Sequence, residues 1–199
     1  MTDNFALLNE PRRPWLDTDS LKQKFRARSG PIHPDRIHSA GESEKSAKAK
    51  QFAELNAAYN CLAEPKSRLL HLLELERGFK PKDIQQIPAG LADLFAEVAT
   101  HCRNVDMFLA EKNKATSPLL QVQLFEHSQS WVEKLQALKQ KLNGLHEKLV
   151  EGLKSINREW PDMAKRQQLL AQAEELYRLF GYFNRWNSQV AERIVQLAF

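Results

Sequence analysis

Between residues 91 and 197 the apolar side chains recur at alternating steps of three and four, with breaks only around Pro118 and Pro161. That period belongs to an α-helix turning one face to a core, and so long a run of it leaves little room for another fold class. The first segment carries Leu91, Leu94, Val98, Cys102, Val105 and Phe108. The second, after Pro118, carries Val122, Phe125, Val132 and Leu135, and continues through Leu138, Leu142, Leu145, Leu149, Leu153 and Ile156. The third, after Pro161, carries Leu169, Ala173, Leu176, Phe180, Phe183, Val190, Ile194 and Leu197. Such steps suit helices crossing at shallow angles, and short connections favour antiparallel neighbours, so an antiparallel three-helix bundle is expected over 89–199. The 7 glycines and 9 prolines are few and clustered. Between them lie stretches of Leu, Ala, Glu, Lys and Gln, all good helix formers. No segment has the two-residue period of a strand. The expected fold class is all-α, in two parts.

The part before the bundle, 1–78, reads as a helical hairpin with short helices at each end. "NFALLN" is one turn of helix stopped by Pro11 and Pro14. Asp17 is a good N-cap for the next helix, in which Leu21 and Phe25 share one face while Lys22 and Arg26 stack on a flank. Gly30 and Pro31 follow, and a residue before proline is pushed out of the helical region. Arg28 falls on the Leu21–Phe25 face, so this helix is expected to stop or distort at Ser29–Gly30. A loop with Pro34 and Gly41 leads to a second long helix from Glu42, with Phe52, Leu55, Tyr59 and Leu62 in one stripe. After Pro65 a further short helix turns Leu69, Leu72 and Leu73 inward and stops at Gly78. "FKPKDIQQIP", 79–88, brackets a polar stretch with prolines and is the expected linker.

The net charge of +4 invites a nucleic-acid reading. It is spread along the chain, however: 13 basic and 11 acidic residues to Gly78, 16 and 14 beyond. No Lys/Arg run or basic stripe interleaved with aromatics occurs, so no nucleic-acid partner is expected. The opening "MTDNFALLNEPRRPW" has no apolar run of signal-peptide length, and no stretch approaches the ~20 apolar residues of a membrane span. A cytoplasmic protein without a membrane partner is expected. Cys61 and Cys102 are far apart and read as reduced, buried thiols, not as a disulfide or metal pair.

Catalytic chemistry finds little footing. His33 and Asp35 are separated by Pro34, whose fixed φ disfavours a base–orienter hydrogen bond between them. No nucleophile elbow, glycine-rich phosphate loop or HExxH pattern occurs. His33, His38 and Asp35 offer at most three ligands on one loop, so neither a metal nor a cofactor is expected. His71, His101, His127 and His146 are scattered and read as surface or half-buried helical residues. Trp131, Trp160 and Trp186 read as core or junction residues near the bundle stripes.

One arrangement asks for more. A basic helix flank precedes a His-Pro-Asp tripeptide at 33–35, and a second helix ending "ELNAAYNCLAEPKSR" follows. This order resembles the J-domain of DnaJ-type co-chaperones. Phe25–Arg26 falls where that family has an aromatic and then a basic residue. Leu55, Asn56, Ala58, Tyr59, Leu62, Pro65 and Arg68 match its "LNxAYxxLxxPxxR" stretch. The resemblance covers residues 4 to about 78. It implies that His33, Pro34 and Asp35, with Lys22 and Arg26, dock a DnaK-type ATPase chaperone and trigger its ATP hydrolysis. It also implies that Leu21, Phe25, Leu55, Tyr59 and Leu62 form the domain core. Under it the chain is not an enzyme: the chemistry is the partner's.

Within J-proteins the chain is most similar to the HscB family. The opening "FALLNEPRRPWLDTDSL" and the stretch "SRLLHLLELERG" resemble that family's, and neither a glycine/phenylalanine linker nor CxxCxGxG repeats occur. This implies an HscA-type chaperone as partner and an iron–sulfur cluster assembly scaffold as client of the bundle. "LADLFAEVATHCRNVDMFLAEKNK" lacks the family's acidic pattern, so no scaffold-binding residues are carried over. A J-like adaptor that binds partners without raising ATP turnover is the alternative.

Overall fold

Aspartates open the first two helices because each can accept the backbone N–H groups that a helix start leaves unpaired. Asp3 accepts from Phe5 and Ala6, and Asp17 from Ser20 at 2.8 Å. The resulting helices are α1 (Asn4–Leu7) and α2 (Thr18–Ser29) in a computed structural model that describes residues 2–36, 41–81, 87–115 and 117–198. Two short 3-10 turns, Gly30–Ile32 and Pro34–Arg36, follow α2. Then come α3 (Glu42–Ala63) and α4 (Pro65–Arg77). Glu64 caps α4 by accepting from Lys66 and Ser67, and Pro65 fits at its first position because that N–H has no helical partner. Gly78 ends it at φ 79°, a left-handed position glycine adopts at no steric cost. The remaining helices are α5 (Ala92–Lys112), α6 (Pro118–Glu159) and α7 (Arg166–Ala198). Among the described residues there is no strand, and the fold is all-α. Among the described residues no helix is long and apolar enough to cross a membrane.

The chain forms two compact units, one passing to the other at Lys82/Asp83, within 79–88, and again inside α6 and α7. One holds Met1–Lys82 with Glu151–Arg178, the other Asp83–Val150 with Leu179–Phe199. Helices α6 and α7 therefore each lend an end to the J-like unit. The reason lies in the side chains: Ile156, Trp160 and Leu169 share one core with Phe5, Leu8, Leu21, Leu55, Leu62 and Leu72. Each such side chain contributes roughly 1.5–3 kcal/mol when fully buried. The Trp160 indole N–H also donates to the Arg12 carbonyl at 2.7 Å. Trp160 thus belongs to this core and not to a bundle stripe. Glu174 joins the same unit through Arg77 and Arg178; the Arg77 hydrogen bond, against some burial, holds its carboxyl below the ordinary range. Of the expected linker, 82–86 lie outside the described residues.

The second unit has its own core of Val98, Cys102, Val105, Phe108, Leu135, Leu138, Leu142, Trp186, Val190 and Leu197. The first turns of α6 depart from the expected stripe. Val122 and Phe125 are each 62% exposed, while Leu124 packs on the core and Ser128 is buried. The Ser128 hydroxyl donates to the Leu124 carbonyl at 3.0 Å, which removes most of the cost of burying it. A pattern counted in apolar residues passes over such a serine and slips onto the wrong face. Both cysteines are free thiols; Cys102 is buried, Cys61 half-buried, and burial pushes both above the ordinary thiol range.

Candidate functional site

The loop after α2 takes its shape from a missing donor. Gly30 still donates its N–H to Arg26 in helical fashion, but Pro31 has no N–H for the next rung. The backbone tightens into the 3-10 turn Gly30–Ile32, as expected for a helix that distorts at Ser29–Gly30. Arg28 is not the cause. It is exposed, and the buried face runs from Leu21 through Phe25 to Ser29, at steps of four, with Ile32 packed beyond. Ser29 is small enough to take the inward position that the sequence reading assigned to Arg28.

His33 follows in extended backbone (φ −62°, ψ 136°), the region favoured before a proline, and its carbonyl accepts from Arg36 at 2.9 Å. Its ring stands edge-on to Phe52 of α3, centroids 5.1 Å apart and planes at 87°. The imidazole is thereby propped against the hairpin while 44% of the side chain faces solvent. The Asp35 backbone N–H donates to His33 Nδ1 at 3.3 Å, and Asp35 Oδ2 lies 3.5 Å from the same nitrogen. His33 and Asp35 thus approach despite Pro34. Yet a nitrogen that accepts the amide proton has none to give the carboxylate, and 3.5 Å is too long for an orienting hydrogen bond. Asp35 is 87% exposed, about twice as open to solvent as His33. His38 lies outside the described residues, and among those described no group of three metal-ligating side chains gathers.

Lys22 and Arg26, one turn apart on α2, are both exposed and form no ion pair with a described residue. Lys24, on another face, is taken up by Glu10 at 2.8 Å and the Asn9 carbonyl at 3.1 Å. Behind the cationic flank lie Leu21, Leu55, Ala58 and Leu62, all buried, and Phe25 stacked on Tyr59 at 4.6 Å. Two supporting residues were given no part in the site by the sequence reading, where Arg68 stood only as the last residue of the "LNxAYxxLxxPxxR" match. Phe52 read only as a stripe position, though it braces His33. Arg68 is buried, donates from Nε to the Pro14 carbonyl at 2.9 Å and from Nη1 to the Leu62 carbonyl. Burial pushes its pKa down to about 10, so it stays cationic at neutral pH and ties the approach to α2 onto the end of α3.

No protein-family model matches the chain. A co-chaperone protein HscB homolog of Paraburkholderia phymatum is 35% identical over 72 residues, 36% of this chain. The matched stretch spans about two-fifths (41%) of that relative's length. The chaperone HscB of Vibrio cholerae superposes with a TM-score of 0.61 at 22% identity, covering 96% of either chain. The chain has the HscB fold. Human co-chaperone protein HscB superposes likewise, with a TM-score of 0.57 at 18% identity over 98% of this chain and 81% of that one. Likeness to HscB proteins therefore extends in sequence over about a third of the chain, and in architecture over nearly all of it.

Proposed function

We propose that this HscB-like chain is a co-chaperone whose loop His33–Pro34–Asp35, with Lys22 and Arg26, docks a DnaK- or HscA-type ATPase and raises its ATP turnover. The observation that carries the reading is a half-exposed His33 ring, braced by Phe52, on the same hairpin as two α2 cations that have no ion pair among the described residues. A cationic flank suits an acidic partner surface, where it raises the association rate and fixes orientation more than it adds affinity. The His33 ring and the Asp35 carboxylate then give directional polar contacts that a charge alone cannot. No step of the chemistry is assigned to this chain.

The second unit would carry the client, an iron–sulfur cluster assembly scaffold. Its support is a shallow groove of about 610 Å³ along α5 and α7, where Phe95 and Met107 are exposed beside Val98, Cys102 and Trp186. Exposed apolar surface of this kind marks a protein-binding face.

The deciding experiment is steady-state ATP turnover of a DnaK- or HscA-type chaperone with the full chain. Wild type should stimulate, and His33→Gln should lose at least tenfold of the stimulation while folding normally. The Lys22→Gln/Arg26→Gln pair should weaken it most at low salt, where the flank is least screened. Equal stimulation by wild type and His33→Gln would refute the proposal. Binding without stimulation by the wild type would favour the adaptor reading, to which the tightened turn at Gly30–Ile32 lends its one specific support.

A further inference from the structure

Along α5 the residues Phe95, Ala99, Arg103 and Met107 stand four apart and form one ridge lining the α5–α7 groove. The ridge is uneven. Phe95 and Met107 are exposed, Ala99 leaves a gap between them, and Arg103 sits one turn before Met107. From Phe95 to Ala110 the lining follows roughly 22 Å of helix, about four turns. A small molecule is ordinarily enclosed over most of its surface, which a shallow trough of that length cannot do. An amphipathic helix laid along it keeps its polar face in water and offers apolar anchors at steps of three, four and seven.

The charges in the groove select among such helices. Arg103 and Asp106 are its charged lining residues. Asp106 is already answered: Arg193 of α7 donates from Nε to Oδ1 at 2.9 Å and from Nη2 to Oδ2 at 2.7 Å. The same guanidinium donates to the Cys102 carbonyl at 3.3 Å and to the Gln189 carbonyl at 3.0 Å. It thus clasps α5 to α7 and fixes the groove before any partner arrives. Phe95 is steadied by Trp186 of α7, ring centroids 6.1 Å apart. Arg103 is exposed and has neither an ion pair nor a hydrogen bond to a described residue. It leaves an uncompensated positive charge between the two exposed apolar side chains, and its planar fork suits a carboxylate.

We propose that the groove receives an amphipathic helix of the client that sets an Asp or Glu against Arg103. One apolar anchor, about a turn to one side, meets Met107; another, about two turns to the other side, meets Phe95. The inference rests on the reading of the second unit as the client-bearing one, and adds the chemistry of the segment it takes.

The test uses the full chain and two probes. The first is a fluorescein-labelled helical peptide of about 16 residues, stapled because a free helix of that length is marginal in water. It carries Glu at its centre, or Lys in a second peptide, with leucines about four and seven positions to either side. Fluorescence anisotropy at low salt should show saturable binding of the Glu peptide, about fivefold tighter than the Lys peptide. In Arg103→Glu the order should invert. In Arg103→Gln, which adds no charge and keeps the comparison open should Arg103→Glu fold poorly, the two peptides should bind alike. The second probe is an iron–sulfur cluster assembly scaffold protein. Weaker binding of it by Arg103→Glu than by wild type supports the groove as its seat. A scaffold that ignores the wild type, while the peptides behave as expected, sinks the client reading and leaves the preference for an acidic helix standing. Equal scaffold binding by wild type and Arg103→Glu would place the client elsewhere and overturn the inference. So would the absence of saturable peptide binding, or the same Glu-over-Lys order in wild type and Arg103→Glu.

Discussion

His71 shows how a single buried ring can set a pH limit on the J-like unit. It reads in the sequence as one of four scattered helical histidines, yet it is 6% exposed, stacks on Phe5 at 5.7 Å and accepts the Asn4 N–H at Nε2. Burial lowers its pKa below the ordinary 6.5; Asp3 and Glu74 oppose the shift and Arg12 reinforces it. The ring can accept that amide only while neutral. In the unfolded chain it takes a proton near pH 6.5, and in the folded chain only at lower pH. The unfolded state therefore binds more protons in that window, and stability is lost as pH falls from about 6.5. Thermal melts between pH 7.5 and 5 should show this decline. His71→Gln, which keeps an acceptor without a titrating group, should flatten it. The carboxylate contribution of Glu174 falls in a different window, below its ordinary 4.5, so the two are separable.

At the scale of single helices, glycines inside α6 make a direct comparison. A Cβ at Gly144 meets nothing within 4 Å, whereas one at Gly152 meets Leu176 Cδ2 at 3.2 Å. Alanine is better than glycine in a helix interior by about 0.8–1.0 kcal/mol. Gly144→Ala should therefore raise the melting temperature by about 2–4 °C, the range for a chain of this size. Gly152→Ala should gain less, because Leu176 must shift to receive the new methyl. Differential scanning calorimetry of the two variants gives the comparison, and a larger gain at Gly152 would contradict the packing described. The elements themselves were legible: capping aspartates, prolines and a three–four period gave every long helix, and Pro31 without its N–H gave the distortion after Ser29. Two things were not. Ser29 and Ser128 occupy inward positions as small or self-bonded polar residues, so patterns written in apolar letters set Arg28, Val122 and Phe125 facing inward instead. The brace behind His33 was hidden for another reason: Phe52 and His33 meet only through the fold of the hairpin, 19 positions apart.

For the molecule as a whole, the decisive feature is the sharing of α6 and α7 between two units. Residues Met1–Lys82 alone would lack Ile156, Trp160 and Leu169, three members of their own core. At roughly 1.5–3 kcal/mol each, that loss is comparable to the whole stability of an ordinary domain, about 5–15 kcal/mol. A fragment of residues 1–82 should therefore melt far below the intact chain, or without a cooperative transition, by near-ultraviolet circular dichroism. A fragment as stable as the full chain would show that the distant residues add little. Long-range core sharing of this kind leaves no local trace, so the sequence reading placed one division at 79–88, where the units also change at Lys82/Asp83, and carried no sign of the two further changes within α6 and α7. The same feature sets a schedule during synthesis. A ribosome adding about 5–20 residues per second needs roughly 4–17 seconds to go from residue 82 to residue 169. Through that interval the His-Pro-Asp loop is already outside while the core beneath it is unfinished, so a nascent chain presents that loop before it has a settled scaffold to hold it.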